Sequence, residues 1–79
     1  MILQAQLDIH GMNAFEAEEA LKDFLDTLGG DVDEVVVVHG YKGGTVLRDM
    51  VRSTFRHKKI KRKLVSMNQG ITIFLMKKD

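Results

Sequence analysis

Two histidine–glycine pairs stand where hydrophobic runs end. Leu7-Asp8-Ile9-His10-Gly11 closes the first run, and Val35-Val36-Val37-Val38-His39-Gly40 closes the second, continuing into Tyr41-Lys42-Gly43-Gly44. Imidazole exchanges protons near neutral pH, and a carboxylate two residues away favours and orients its charged form. His10, His39 and Asp8 are therefore the candidate catalytic groups, suited to proton exchange with a hydroxyl nucleophile or a leaving oxygen. A histidine at a strand end also serves simply as a partner for backbone groups, and both readings stand at this point. Gly40, Gly43 and Gly44 expose backbone N–H groups that favour an anion at the start of a helix. Lys42 adds a point charge to such a phosphate site, Arg48 a bidentate fork, and Tyr41 a flat face on which a base can stack.

The elements that must position these groups can be read from periodicity. Residues 2–9 alternate apolar and polar, as a half-covered strand does, which places Asp8 and His10 on one face at its carboxyl end. Asn13-Ala14-Phe15-Glu16 has the spacing of a capping box, followed by Ala17, Ala20, Leu21, Phe24, Leu25 and Leu28 on one helical stripe, with Gly29-Gly30 as a left-handed exit. Val35–Val38 reads as a strand that is central or covered on both sides. Leu47, Met50, Val51, Thr54 and Phe55 predict a second helix from about Thr45, with Arg48, Arg52 and Arg56 as a basic stripe along its flank. Residues 60–66 and 71–77 read as a hairpin of two strands. The expected architecture is α/β, an α+β two-layer sandwich of order βαβαββ, with a four-stranded mixed sheet and both helices on one face. Parallel strands place their carboxyl ends at one crevice, so the two histidines should share a site.

Composition narrows the chemistry. The 79 residues are expected to form one domain, 1–79, short for enclosing a small-molecule pocket. The absence of cysteine excludes disulfides and thiolate chemistry. Asp31, Asp33 and Glu34 precede the second strand and belong to the opposite sheet edge, leaving Asp8 alone beside the histidines. A two-metal site is not expected; the expectation is no cofactor, or at most one loosely held divalent ion such as magnesium. No apolar run approaches a membrane span, and Met1-Ile2-Leu3-Gln4 lacks the basic flank of a signal peptide, so the expected location is the cytoplasm. Residues 1–40 carry nine acids against Lys22, a net of −8, while residues 41–79 carry eleven bases against Asp49 and Asp79, a net of +9. The basic half suits a polyanion, although the two halves can also attract each other across the fold.

With these motifs assembled, the chain resembles the Smr (small MutS-related) domain family from about Leu7 to Lys77. Leu7-Asp8-Ile9-His10-Gly11 is similar to its Leu-Asp-x-His-Gly motif, and Val38-His39-Gly40 with the following glycines and Leu47-Arg48 to its His-Gly-x-Gly-x-Gly loop leading into Leu-Arg. Gly70-Ile71-Thr72-Ile73 resembles the Gly-x-Thr of the closing strand. Lys42 replaces the usual central glycine, and the stretch to Leu47-Arg48 is one residue longer. The resemblance implies a fold like the C-terminal domain of bacterial translation initiation factor three. It also implies a module that binds DNA or RNA and in several members nicks DNA or cleaves RNA with little sequence preference, some members acting at stalled ribosomes. By the resemblance Asp8 and His10 match the motif implicated in cleavage, and His39, Gly40, Gly44 and Arg48 match the second motif. Together with the residue reading, Asp8, His10 and His39 are the expected catalytic groups and Gly40, Tyr41, Lys42, Gly43, Gly44, Arg48, Arg52 and Arg56 the expected nucleic-acid- or phosphate-binding ones. The alternative is a non-catalytic protein- or ribosome-interaction module using the sheet face that bears Gln4 and Gln6. Nothing in the sequence sets the oligomeric state.

Overall fold

The computed structural model describes residues 1–42 and 44–78; Gly43, one of the expected phosphate ligands, and Asp79 lie outside the described residues. The chain runs β1 (Gln4–Asp8), α1 (Ala14–Asp26), β2 (Glu34–Val38), α2 (Val46–Asp49) continued by a π-helical turn (Met50–Thr54), β3 (Ile60–Val65) and β4 (Ile71–Met76). The sheet order is β1-β2-β4-β3, with β1 parallel to β2 and the other pairs antiparallel. Both helical segments lie on one face. Ala17, Leu21 and Leu25 from α1 and Met50, Val51 and Phe55 from the second segment form one buried cluster with Val35, Val37, Phe74 and Met76. Period two turns Val36, Val38, Ile71, Ile73 and Leu75 to the other face, which no helix covers. β2 is valine-rich because it is interior to the sheet, between β1 and β4.

α1 starts as its capping box predicts: the Asn13 side chain accepts from Glu16 N at 2.8 Å, and Glu16 Oε1 accepts from Asn13 N at 3.2 Å. Its exit differs from expectation. Positive φ among the described residues occurs at Gly11, Gly40 and Gly44, so Gly29-Gly30 forms no left-handed cap. Thr27 Oγ1 instead donates back to the carbonyls of Asp23 and Phe24. A lysine 34 residues away completes the end: Lys59 Nζ donates to the carbonyls of Leu25, Asp26 and Leu28 at 2.7–3.2 Å. A cation there satisfies orphaned carbonyls and opposes the negative helix end. Replacing Lys59 with methionine should therefore cost about 1–2 kcal/mol, read as a Tm roughly 5–10 °C lower.

The basic run is divided by the fold. Within the basic half, Lys63 Nζ donates to the Phe55 carbonyl; across the halves, the largely covered side chain of His57 pairs through Nε2 with Asp26 at 2.8 Å, and Lys78 pairs with Asp33 at 2.8 Å. Part of the charge asymmetry is thus spent holding the two halves of the chain together. Arg56, Lys58, Lys61, Arg62 and Lys77 remain exposed. A bulge between Ile60 and Arg62 interrupts the pairing of β3, and a bulged, lysine-bearing edge resists pairing with other strands.

The expected arginine stripe is not continuous. The π turn, closed by Phe55 N donating to the Met50 carbonyl, alters the four-residue repeat, and the helix ends before Arg56. Arg52 is turned toward the sheet, where its Nε donates to Thr72 Oγ1 at 2.8 Å and its Nη2 to the Ile71 carbonyl at 3.1 Å. Arg48 is half-buried, its Nη2 3.4 Å from Asp49 Oδ1.

Candidate functional site

Parallel pairing brings the ends of β1 and β2 together. Asp8 is in register with Val38, and Ile9 N donates to the Val38 carbonyl at 2.9 Å, carrying the pairing one residue beyond the strand. The chain turns at Gly11 and Gly40, with φ of +83° and +76°, values that glycine adopts without the steric penalty of a Cβ. A Cβ at Gly40 would lie 3.5 Å from that of His10, so the two histidine–glycine corners are in contact.

The first corner forms an acid–histidine dyad. Asp8 Oδ1 accepts from the His10 backbone N at 3.0 Å and from His10 Nδ1 at 2.5 Å. Bonds to the imidazole first, and to the backbone N–H second, hold the Asp8 carboxyl below its usual range. The bond assigns a proton to Nδ1 and leaves Nε2 without a hydrogen bond among the described residues, on a side chain that is 69% exposed.

The second corner is built differently. His39 is buried, with 4% of its surface exposed, and both ring nitrogens are engaged. Nδ1 lies 2.8 Å from the Gly40 carbonyl, which can only accept, so Nδ1 carries the proton. Nε2 lies 2.9 Å from Thr72 Oγ1, which already accepts from Arg52. The direction of the chain follows: Arg52 donates to Thr72, Thr72 to His39, and His39 to Gly40. Burial, with the charges of Arg52 and Arg48, pushes the His39 pKa down against the opposing bond to Gly40. Both ring nitrogens of His39 are thus engaged and its neutral form is favoured, the geometry of a strut beneath the Gly40 turn rather than that of the exposed His10.

An open cleft of about 840 Å³ lies at this sheet edge. It is lined by residues 10–14, by residues 38–42, 44, 46 and 47, and by Asn68, Gly70 and Ile71 where the β3–β4 turn enters β4. The Gly70 carbonyl accepts from both His39 N and Gly40 N, at 2.9 and 3.0 Å. A Cβ at Gly70 would sit 3.3 Å from the Gly40 Cα, which explains the glycine. Regular α-helix after the loop lasts four residues, so the helix dipole adds little here. Positive potential comes chiefly from Lys42 on the rim and from Arg48 and Arg52 near His39. None of the expected arginines, Arg48, Arg52 and Arg56, is in the lining of the cleft, and Arg56 lies past the helix end. Among the described residues no three of His, Cys, Asp and Glu gather as metal ligands, and no helix is long and apolar enough to cross a membrane.

The family model of the Smr domain matches residues 7–71, from the start of the first histidine corner to the start of β4. The chain belongs to the Smr domain family. Its fold is similar to that of the Smr domain of Thermus thermophilus MutS2, with a TM-score of 0.71 and 21% identity over 92% of this chain and 98% of that one. No curated protein matches the chain.

In this Smr domain, the expected pairing of Asp8 with His10 and the meeting of the two corners are both present. Gly40, Tyr41, Lys42 and Gly44 line the cleft, while Arg52 is committed to Thr72 and Ile71. Residue reading passed over Thr72, Asn68 and Gly70 as parts of the site. The Gly70-Ile71-Thr72 motif marked their position, but not that it lies under the histidine corners.

Proposed function

We propose that this Smr domain binds nucleic acid at the cleft and cleaves phosphodiesters weakly and without sequence specificity, with His10 as the proton-transfer group. The observation that carries this reading is the Asp8–His10 dyad at the cleft, with no hydrogen bond to Nε2 among the described residues, Lys42 in the same lining and the charge of Arg48 acting on His39. On RNA, Nε2 takes the proton of a 2′-hydroxyl as that oxygen bonds to phosphorus. The bond to the 5′-oxygen then breaks, and the departing oxygen takes a proton from water. Asp8 orients the ring and balances the imidazolium, as the buried aspartate of a catalytic triad does for its histidine. DNA has no 2′-hydroxyl, so nicking would require the same nitrogen to activate water.

Purified protein incubated with labelled RNA and with supercoiled plasmid, with and without magnesium, tests the cleavage step. Binding, measured in parallel, should weaken with salt, log K falling by about 0.7–0.9 per log unit for each phosphate contact. Tight binding unchanged at high salt would refute the electrostatic part of the reading. Arg48→Ala should weaken binding to all sequences alike. A second reading, a non-catalytic interaction module, is favoured by the uncovered sheet face where Val36, Ile71, Ile73 and Leu75 lie between Gln4 and Gln6 on one side and Arg62 on the other. Failure to bind nucleic acid at low salt would favour it.

A further inference from the structure

The cleft carries an apolar arrangement that proton transfer does not use. Tyr41, Met12 and Val46, 49%, 37% and 67% exposed, all belong to its lining. Large apolar side chains gathered around one concavity mark a ligand surface. The Tyr41 ring is also supported from behind: a Cβ at Gly70 would fall 3.5 Å from Tyr41 Cδ1, so the ring rests against bare glycine backbone. Beside it, Asn68 Oδ1 accepts from Gly70 N at 2.9 Å. That bond orients the amide and leaves its NH2 group as the donor available to a ligand.

A flat ring platform, apolar walls, one oriented amide and nearby cations together describe a ligand that is planar, polar at its edge and attached to an anionic backbone. We propose that the cleft takes a single unpaired nucleobase stacked on Tyr41, so that the preferred ligand is single-stranded nucleic acid rather than duplex. This rests on the nucleic-acid reading above and specifies the ligand of the same site. A base within a duplex is stacked on both faces and paired at its edge, and must be unstacked before it can enter; an unpaired base enters with little loss. With the base on Tyr41, the attached backbone runs along the cleft that Lys42 and His10 also line, which brings a phosphate into the same cleft as the dyad.

Tyr41 is the only tyrosine and the chain has no tryptophan, so its intrinsic emission reports on this one side chain. Wild-type protein is titrated with 5′-labelled single-stranded RNA, single-stranded DNA, abasic single-stranded DNA and duplex DNA. Label anisotropy follows binding, and tyrosine emission follows stacking. Saturable quenching by the base-bearing single strands is expected, with abasic and duplex forms bound about tenfold more weakly and without comparable quenching. Tyr41→Ala should lose about tenfold in affinity for the single strands and little for the abasic one, whereas Tyr41→Trp should retain it. The RNA and DNA arms distinguish the sugar. Equal affinity for all four forms with unquenched emission would overturn the base pocket and leave nucleic-acid binding standing. Binding to none of them would overturn both.

Discussion

Replacing His10 with alanine is expected to slow phosphodiester cleavage by about 10²–10⁴-fold, the range general acid–base groups supply, while leaving Tm and nucleic-acid affinity close to wild type. The separation of effects follows from exposure: the His10 side chain is largely in solvent, and among the described residues its ring hydrogen-bonds to Asp8 alone. Single-turnover cleavage beside a thermal melt measures both. Cleavage by the alanine variant at the wild-type rate would show that the activity belongs to a contaminant or to another group. Asp8→Asn should also lose rate, because the carboxamide lacks the charge that balances the imidazolium. The Asp8 carboxyl is held below its ordinary 3.8, so the dyad keeps its anion at every pH above that value and loses it as pH falls through the depressed one. A decline in rate at higher pH is therefore not the protonation of Asp8.

Thr72→Val should be the most damaging of the small substitutions for stability. Valine matches threonine in shape but leaves His39 Nε2 without a donor and Arg52 Nε without its acceptor, in a place where Thr72 is fully buried. Each orphaned polar group costs roughly 1–3 kcal/mol, so a loss of about 2–4 kcal/mol is expected, a Tm roughly 10–30 °C lower. Thr72→Ser keeps the hydroxyl and should recover most of it. A valine variant as stable as wild type would show that the Arg52–Thr72–His39 chain contributes nothing net. The same chain predicts acid sensitivity. The folded pKa of His39 lies below its ordinary 6.5, so on acidification the unfolded chain takes up the proton first. The stability held by neutral His39 is complete above 6.5 and is lost as pH falls through the folded value. The slope of Tm against pH in that window should flatten in His39→Gln.

Legibility in the sequence divided along the range of the interactions. The alternation of residues 2–9, the Asn13–Glu16 box and the apolar stripe of α1 depend on neighbours within four residues, and each appears in the structure. The Asp8–His10 pair is local in the same way, its partners only two positions apart. Where local reading erred, a distant group had taken over. Gly29-Gly30 was not needed as a left-handed exit because Thr27 and Lys59 terminate α1. The arginine stripe was broken because the guanidinium of Arg52 finds its acceptors on β4, 19 and 20 residues away.

The doubled histidine–glycine pattern shows the division most clearly. By itself the sequence determined that both corners are sharp turns at strand ends, that Asp8 sits beside His10, and that parallel strands bring the corners together, since these follow from backbone periodicity and glycine's freedom at positive φ. Only the tertiary structure decided that the two histidines are chemically unlike. His10 is largely in solvent, with no hydrogen bond to its Nε2 among the described residues, whereas His39 has both ring nitrogens engaged, by Gly40 and by a threonine 33 residues away. A side chain's neighbours in sequence limit where it starts; burial and long-range hydrogen bonds decide which of its atoms remain available for chemistry.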